Sequence, residues 1–470
     1  MSNYSPSQFH TNKRVGIALF GKGSTNHLHR TTVVQHFLSE GFQVHFLVRQ
    51  DYSKLIKRIA GCQYHDIDIV INDSGITGFL RGFLRYFRSL YPACDIAKQY
   101  MFRHQNRDRP IVSRTIHFII AFFARYRRIL QILIRVESVL YRNVEVTGLP
   151  VDNIDVLCLI GCGGNEVLEA HLGWWGRAKG IPIINVVGNY DNLSTKGFRG
   201  LFIDHLLVWG QSMKSDAKAL QGIRSNRIHM IGPLRYDHIQ SSICLTKAEF
   251  FKKCHFDPNI PTIFFGGSRA SFHYFEMLSV FQLLSKQRTY QLILRIMPNK
   301  VLLNSPTMQA FITHAKSLPN IYVSIGDVHY PHGDQFQEPL SVEEHELWHG
   351  LTYSDIVINL YSTLALEACI FDRPVINMWY FEQPDALILK QPIHVPYNVE
   401  AHIRRLRSFN CAVEVQTRED LVAAIHNQLE NPQRQSDGRR RLVQHECGTL
   451  DGKAAQRLVE HCRRAEEIKR

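Results

Sequence analysis

Apolar runs and helical stretches alternate along the chain, with turn residues between them. "RVGIALF" (14–20) reads as a buried strand, residues 31–40 as an amphipathic helix stopped by Gly41, and "QVHFLV" (43–48) as the next strand. Strand, helix, strand at this spacing is a βαβ unit, which requires a parallel sheet and a right-handed crossover. The pattern pauses, then resumes at "IDVLCLI" (154–160) with a helix over 166–179 and the strand "IPIINVV". "DHLLVWG" and "RIHMIG" predict two further short strands either side of a helix.

A second alternation begins after "GPLRYDHI" (232–239). It runs through "PTIFFGGSRA", a helix over 272–286, "QLILRIMP", a helix over 307–317, "NIYVSIG" and "SDIVINLYSTLALEACIFDRPVI" (354–376). "CAVEVQ" and two helices finish the chain. The length of 470 residues exceeds one ordinary domain. The pattern therefore predicts an α/β protein of two tandem Rossmann-like, doubly wound parallel-sheet domains. A polar leader occupies 1–13, an N-terminal domain 14–238 with a basic helical insertion at 81–142, and a C-terminal domain 239–470.

Charge sharpens this picture. The chain carries a formal net charge of +13, and residues 81–142 hold 13 Lys and Arg against 3 Asp and Glu. A basic chain implies an anionic partner. Read as one helix, residues 116–141 carry Arg125, Arg128, Gln131, Arg135 and Ser138 on one polar stripe that continues to Arg142, with Phe, Ile and Leu on the other faces. Such a helix suits an anionic membrane surface, and equally an ordinary packed helix with solvated arginines. Nucleic acid is disfavoured, because the charge sits in an Ile/Phe-rich segment and is not interleaved with exposed stacking aromatics. The opening residues lack an apolar signal core, and the longest apolar run, 116–124, is too short to span a bilayer. Ten cysteines without a C-x-x-C pair, and histidines without metal-ligand spacing, suggest neither a zinc site nor a disulfide framework and predict a reducing cytoplasm.

In doubly wound sheets, ligands sit outside the carboxyl ends of the strands at a switch point. Three polar loops follow strands in the second half. "GGSRA" has glycines that let backbone N–H groups approach an anion, with Arg269 to neutralise it. "LRIMP" puts Arg295 at a strand end, and "YSTLALE" puts Ser362 and Thr363 at a helix start with Glu367 beyond. Each has a plain structural alternative: a tight turn, an N-cap, or a carboxylate favoured by the helix dipole. Three anion-competent loops at strand ends of one sheet favour a binding site.

These stretches, in this order, resemble a GT-B glycosyltransferase over most of the chain. "DHLLVWGQSMKSDA" through "RIHMIGPLRYD" resembles the end of a GT-B N-terminal domain, and "PTIFFGGSRA" the first strand and phosphate loop of the donor domain. "SDIVINLYSTLALEACIFDRPVI" is similar to the late donor-domain signature. "NYDNLSTKG" (189–197) also looks like a stretch carried at the cleft by bacterial surface-polysaccharide enzymes, including those related to CDP-glycerol glycerophosphotransferases. The resemblance implies a cleft between the domains and no bound metal, the nucleotide-sugar donor being a substrate. It implies Gly266, Gly267, Ser268 and Arg269 beside the diphosphate, and Ser362 and Thr363 donating to phosphate oxygens. Arg295 would lie beneath the nucleotide or add positive charge near the leaving group, and Glu367 would accept from the ribose hydroxyls.

An inverting transfer also needs a base for the attacking hydroxyl. His27, His29, Glu166 and Asp191, at strand ends of the first domain, are the candidates. The histidines read equally as surface residues, Glu166 as a first-turn helix acid, and Asp191 as a turn former beside Asn192. The function expected is transfer of a sugar from a nucleotide-sugar donor to a lipid-linked surface-polysaccharide acceptor, by a cytoplasmic enzyme at the inner membrane face. The alternatives are a polyol-phosphate transferase or sugar-nucleotide epimerase on the same fold, or a non-catalytic glycan- or nucleic-acid-binding protein.

Overall fold

The computed structural model describes residues 13–19, 32–49, 61–70, 75–89, 111–124, 126–141, 145–148, 154–160, 167–195, 203–267, 271–297, 299–325, 342–360, 362–378 and 401–465. They form two units. The first runs to Asp237 and takes back the chain from Glu446; the second holds the described residues between His238 and His445.

The first unit contains β1 (Arg14–Leu19), β2 (Gln43–Arg49), β3 (Cys62–Val70), β4 (Glu145–Thr147), β5 (Val156–Ile160), β6 (Ile183–Val186), β7 (His205–Val208) and β8 (Ile228–Met230). Their order is β4-β3-β2-β1-β5-β6-β7-β8, all parallel except β4, which pairs antiparallel with β3 on the outer edge. Every residue of β5, β6 and β7 is buried, so both faces of the sheet must be covered by helices. The helices Val33–Ser39 and Val167–Ala178 end before Gly41 and Gly180, whose φ of +79° and +71° a side chain would oppose. The edge strand β4 and its neighbour β3 were not foreseen in the sequence.

The last helix, Ala454–Arg464, belongs to this first unit, although the sequence reading ran the second domain to residue 470. Its Ala454, Ala455, Leu458, Val459 and Cys462 join Val33, Val34 and Phe37 in one core. Asp237 fixes the helix start from far along the chain: its carboxylate accepts from Ala454 N at 3.0 Å and Ala455 N at 2.7 Å. Arg457 Nη1 donates to Ile231 O at 3.0 Å.

The described residues in and around the basic insertion form three helices, Gly75–Ser89, Ile111–Phe123 and Arg127–Leu140. The single helix expected over 116–141 is therefore two, and its polar stripe is divided. Ending the second helix at Phe123 brings buried Ala124 into a small core with Phe87 and Leu130. A buried ion pair, Arg88 to Glu137 at 3.1 Å, ties the first helix to the third. Ile116, Phe118, Ile119, Phe122 and Phe123 stay exposed on the second helix, and Ile132, Val136 and Val139 on the third, beside exposed Arg128 and Arg135. Among the described residues, no helix is long and apolar enough to cross a membrane.

The second unit contains β9 (Thr262–Gly266), β10 (Gln291–Ile296), β11 (Ile321–Ile325), β12 (Ile356–Asn359), β13 (Val375–Met378) and β14 (Val413–Val415). All are parallel, in the order β11-β10-β9-β12-β13-β14. The strand order reverses between β9 and β12, which is the switch point. Ile263, Phe265, Leu292, Leu294, Ile358 and Ile376 bury one face against Tyr274, Met277, Phe311, Leu421 and Ile425. Three helices follow β14, one more than the sequence suggested.

Three histidines meet where the last helix packs on the first sheet. His205 Nδ1 and His229 Nε2 share a hydrogen bond of 3.0 Å, and the His229 and His461 ring centres lie 4.5 Å apart. Burial, then His461, His205 and Lys214, push His229 down to about 4. Burial also lowers His205 and His461. A histidine held neutral in the fold takes up fewer protons than in the unfolded chain, so its stability is whole above about pH 6.5 and is lost as pH falls towards 4. The melting temperature is expected to decline across that window, and less steeply in His229→Gln. Equal slopes for the two proteins would remove the cluster from the account.

Candidate functional site

One row of register partners crosses the whole second sheet near its carboxyl ends: Ser324, Arg295, Gly266, Asn359, Asn377 and Glu414. Register partners in a parallel sheet point to one face, opposite their immediate chain neighbours. This face is therefore polar at the level where the other face holds Phe265, Leu294, Ile358 and Ile376. Gly266 contributes space: a Cβ there would stand 2.1 Å from Leu364 Cδ2, so the helix Thr363–Ile370 sits close over the end of β9. A Cβ on Gly267 would meet the Tyr274 ring at 2.4 Å. The Tyr274 hydroxyl in turn accepts from Met297 N at 2.9 Å. The two glycines thus draw together the loops that follow β9, β10 and β12.

Ser362 caps the helix Thr363–Ile370. Its Oγ accepts from Leu364 N at 3.2 Å, and its own N–H donates to Asn359 Oδ1 at 3.1 Å. The cap leaves the hydroxyl hydrogen of exposed Ser362 directed by whatever approaches the turn. Thr363 opens the helix, and Glu367 lies four residues on, on the same helix face. Glu367 is only 4% exposed. It stands in the second turn, so the helix dipole does not account for it, contrary to that reading of the sequence. A carboxylate buried this deeply is rare and costly, which sets it apart from a solvated helix acid.

Arg295 is anchored sideways within the row. Its Nη1 donates to Ser324 Oγ at 2.7 Å, and Ser324 Oγ donates to Glu346 Oε2 at 2.9 Å. Glu346 also accepts from Tyr322 at 2.8 Å and pairs with Lys253 at 2.6 Å. Burial pushes the Glu346 carboxyl up, but hydrogen bonds from Lys253, Tyr322 and Ser324 outweigh it and hold the group below its usual range. Arg295 is half-buried at the end of this chain of charges, one strand from the switch point. Glu414, at the row's far edge, pairs with Arg407.

The structure thus brings Gly266, Gly267, Ser362, Thr363, Glu367 and Arg295 into one neighbourhood. Ser268 and Arg269 lie outside the described residues, as do His27, His29 and Glu166. Asp191 follows β6, and its carbonyl accepts from Ser194 N at 3.1 Å and Ser194 Oγ at 3.0 Å. With the Asn192 amide turned so that its nitrogen faces Asp191, a further contact of 3.1 Å forms. Four polar residues escaped notice in the sequence: Glu169, Asn185, Asn359 and Asn377. Glu169, in the first turn of the helix after β5, is 1% exposed and accepts from Asn185 Nδ2 at 2.8 Å. Asn359 and Asn377, both 0% exposed, bond side chain to side chain at 2.9 Å. The signal for these asparagines was available as the lone polar letter in "IINV", "IVIN" and "VINM". Among the described residues, no three His, Cys, Asp or Glu side chains converge as metal ligands.

Chemically, a capped helix start, close-packed glycines and a restrained guanidinium at a switch point are groups suited to receive an anion, and the buried carboxylate one turn further on is a group able to accept from a hydroxyl. The packing under it is checkable. Gly267→Ala forces apart a rigid, buried ring and is expected to cost about 1–3 kcal/mol in denaturant unfolding. An unchanged midpoint would contradict the close Tyr274 contact.

Neither a protein-family model nor a curated protein sequence matches the chain. Solved structures do. A putative UDP-N-acetylglucosamine 2-epimerase from Listeria monocytogenes matches with a TM-score of 0.53 at 11% identity, covering 97% of this chain and 98% of that one. MnaA from S. aureus with UDP matches at 0.51 and 13% identity, over 97% of both chains. The wall teichoic acid polymerase TagF with CDPG matches at 0.50 and 10% identity, over 97% of this chain and 90% of that one. At these identities the likeness is one of fold: two tandem Rossmann-like units, the GT-B fold.

Proposed function

We propose that the protein is a glycosyltransferase that moves a sugar from a nucleotide-sugar donor to a lipid-linked surface-polysaccharide acceptor. The observation that carries this reading is the switch point of the second sheet. There a Ser362-capped helix start, buried Glu367 and Arg295 stand together beside two closely packed glycines. The Ser362 and Thr363 hydroxyls and the 266–268 backbone meet the diphosphate, with Arg269 and Arg295 offsetting its charge. Glu367 accepts from the ribose hydroxyls. The fold is shared with structures holding UDP and CDPG, which supports a nucleotide donor. With these groups carrying the charge of the departing nucleotide, transfer proceeds without a bound metal. On the acceptor side, His27, His29, Glu166 and Asp191 are the candidates for the base that takes the attacking hydroxyl's proton.

The likeness to UDP-N-acetylglucosamine 2-epimerases favours a second reading, epimerisation of the nucleotide sugar on the same scaffold. The likeness to TagF favours a third, polyol-phosphate transfer. The nucleotide released separates the three. Glycosyl transfer breaks the anomeric C–O bond and frees the nucleoside diphosphate. Polyol-phosphate transfer breaks the P–O bond within the diphosphate and frees the monophosphate. Epimerisation returns a nucleotide sugar. One donor from a panel is expected to bind, raise the melting temperature and yield UDP, GDP or CDP. Glu367→Ala should stay folded and weaken that donor about 10- to 100-fold, the worth of a hydrogen bond to a charged group. No stabilisation by any nucleotide sugar, with stabilisation by oligonucleotides, would overturn the reading.

The insertion fits a peripheral place on the inner, anionic leaflet of the plasma membrane. Exposed Phe118, Ile119, Phe122 and Phe123 offer an apolar face, and exposed Arg128 and Arg135 offer charge. In flotation with anionic vesicles, the full chain is expected to rise with the lipid, and Phe118→Ser/Phe122→Ser to stay below. Equal flotation of both would exclude this face as the contact.

A further inference from the structure

Asn359 and Asn377 are an unusual pair to find at the ends of two central strands. Both side chains are 0% exposed, and the rest of these strands is Ile, Val and Met. Asn359 Nδ2 donates to Asn377 Oδ1 at 2.9 Å, and Asn359 Oδ1 accepts from Ser362 N at 3.1 Å. Asn377 Nδ2 has no hydrogen-bond partner among the described residues. Stability does not explain the pair. A buried donor left unbonded is costly, and an apolar residue of similar size would fill the site without that penalty.

The pair is better explained by what it holds. Asn359 and Asn377 are register partners on adjacent strands, so their side chains lie side by side on one face. The Asn377 oxygen faces Asn359 Nδ2, and this leaves Asn359 Oδ1 turned towards the chain that leaves β12. The N–H it fixes belongs to Ser362, the residue that caps the next helix. The turn is thereby held at both ends: by Asn359 from below and by the cap from above. Asn359 is also the register partner of Gly266, so the same residue stands beside the gap into which Leu364 packs.

We propose that Asn359, oriented by Asn377, is a positioning residue for the donor diphosphate: it sets the Ser362 turn before ligand arrives, so that the Ser362 and Thr363 hydroxyls need not be ordered on binding. This rests on the donor-site reading above. Ordering a turn in advance lowers the entropy lost on association, so the effect falls on donor affinity and leaves turnover at saturation nearly untouched.

The experiment compares Asn359→Thr and Asn359→Val in the full chain, with the nucleotide sugar that the wild type binds. The two replacements have nearly the same shape, but only threonine keeps an oxygen that accepts from a backbone N–H a few residues on. Donor Kd is expected to stay within about 3-fold of wild type in Asn359→Thr and to rise about 10-fold or more in Asn359→Val, with kcat at saturating donor within about 3-fold in both. A purely structural role would lower the melting temperature yet leave the two variants with equal Kd, and that equality overturns the proposal. Should Asn359→Val fail to fold, Asn377→Ala removes the partner of Asn359 Nδ2 without touching the turn. It is expected to raise Kd about 3-fold, and an unchanged Kd overturns the proposal. A wild type that binds no nucleotide sugar overturns the donor-site reading and this role with it; Thr–Val equality in a wild type that binds overturns the positioning role alone.

Discussion

A missing side chain organises the second unit. At Gly266, in the centre of a six-stranded sheet, Leu364 occupies the space where a Cβ would stand. That close approach fixes the first turn of one helix over the end of a strand it does not follow in sequence. The neighbouring polar arrangement depends on it. Ser362 can cap the helix because the turn from Asn359 is short, and Glu367 is buried because the helix lies close to the sheet. Gly267 repeats the device one residue on, admitting the Tyr274 ring, whose hydroxyl holds Met297 N beyond β10. Close packing of this kind transmits small displacements, so this corner is coupled to the core beneath it.

Parallel register then decides which polar groups share a face. Ser324, Arg295, Asn359, Asn377 and Glu414 are far apart in the chain, yet one row holds them all. Charge enters the row from its edges, through Lys253 and Glu346 at one side and Arg407 at the other. The switch point itself stays uncharged, with asparagine amides and a glycine. An anion placed there would meet oriented dipoles and, one strand away, the restrained Arg295. The first unit is closed in a different way, by Asp237 capping a helix from more than two hundred residues away and by that helix's apolar stripe entering the core.

Much of this was legible in the sequence, for a physical reason. Strands buried on both faces must be continuous apolar runs, so "VLCLI", "TIFFG" and "IVIN" stand out, and their alternation with helices implies parallel sheets. Strands at or beside the sheet edge escape that rule, and "CQYHDIDIV", next to the edge strand β4, was passed over because half its letters are polar. An amphipathic stripe says that the last helix is buried, but not against which sheet. The Ser362 cap was readable from local chemistry alone. Asn359 and Asn377 showed only as lone polar letters in apolar strands, and their roles, like the Ser324 anchor of Arg295, are assigned by strand register, which no local pattern encodes.

The central claim is that the switch point between β9 and β12 receives a nucleotide-activated donor. Hydrogen–deuterium exchange of the full chain, with and without a saturating nucleotide sugar, tests it most directly. Protection is expected in peptides covering residues 266–267 and 362–367, while the helix Pro306–Ser317 on the opposite face exchanges as before. Protection elsewhere, with those two segments unchanged under conditions where the ligand is bound, would contradict it.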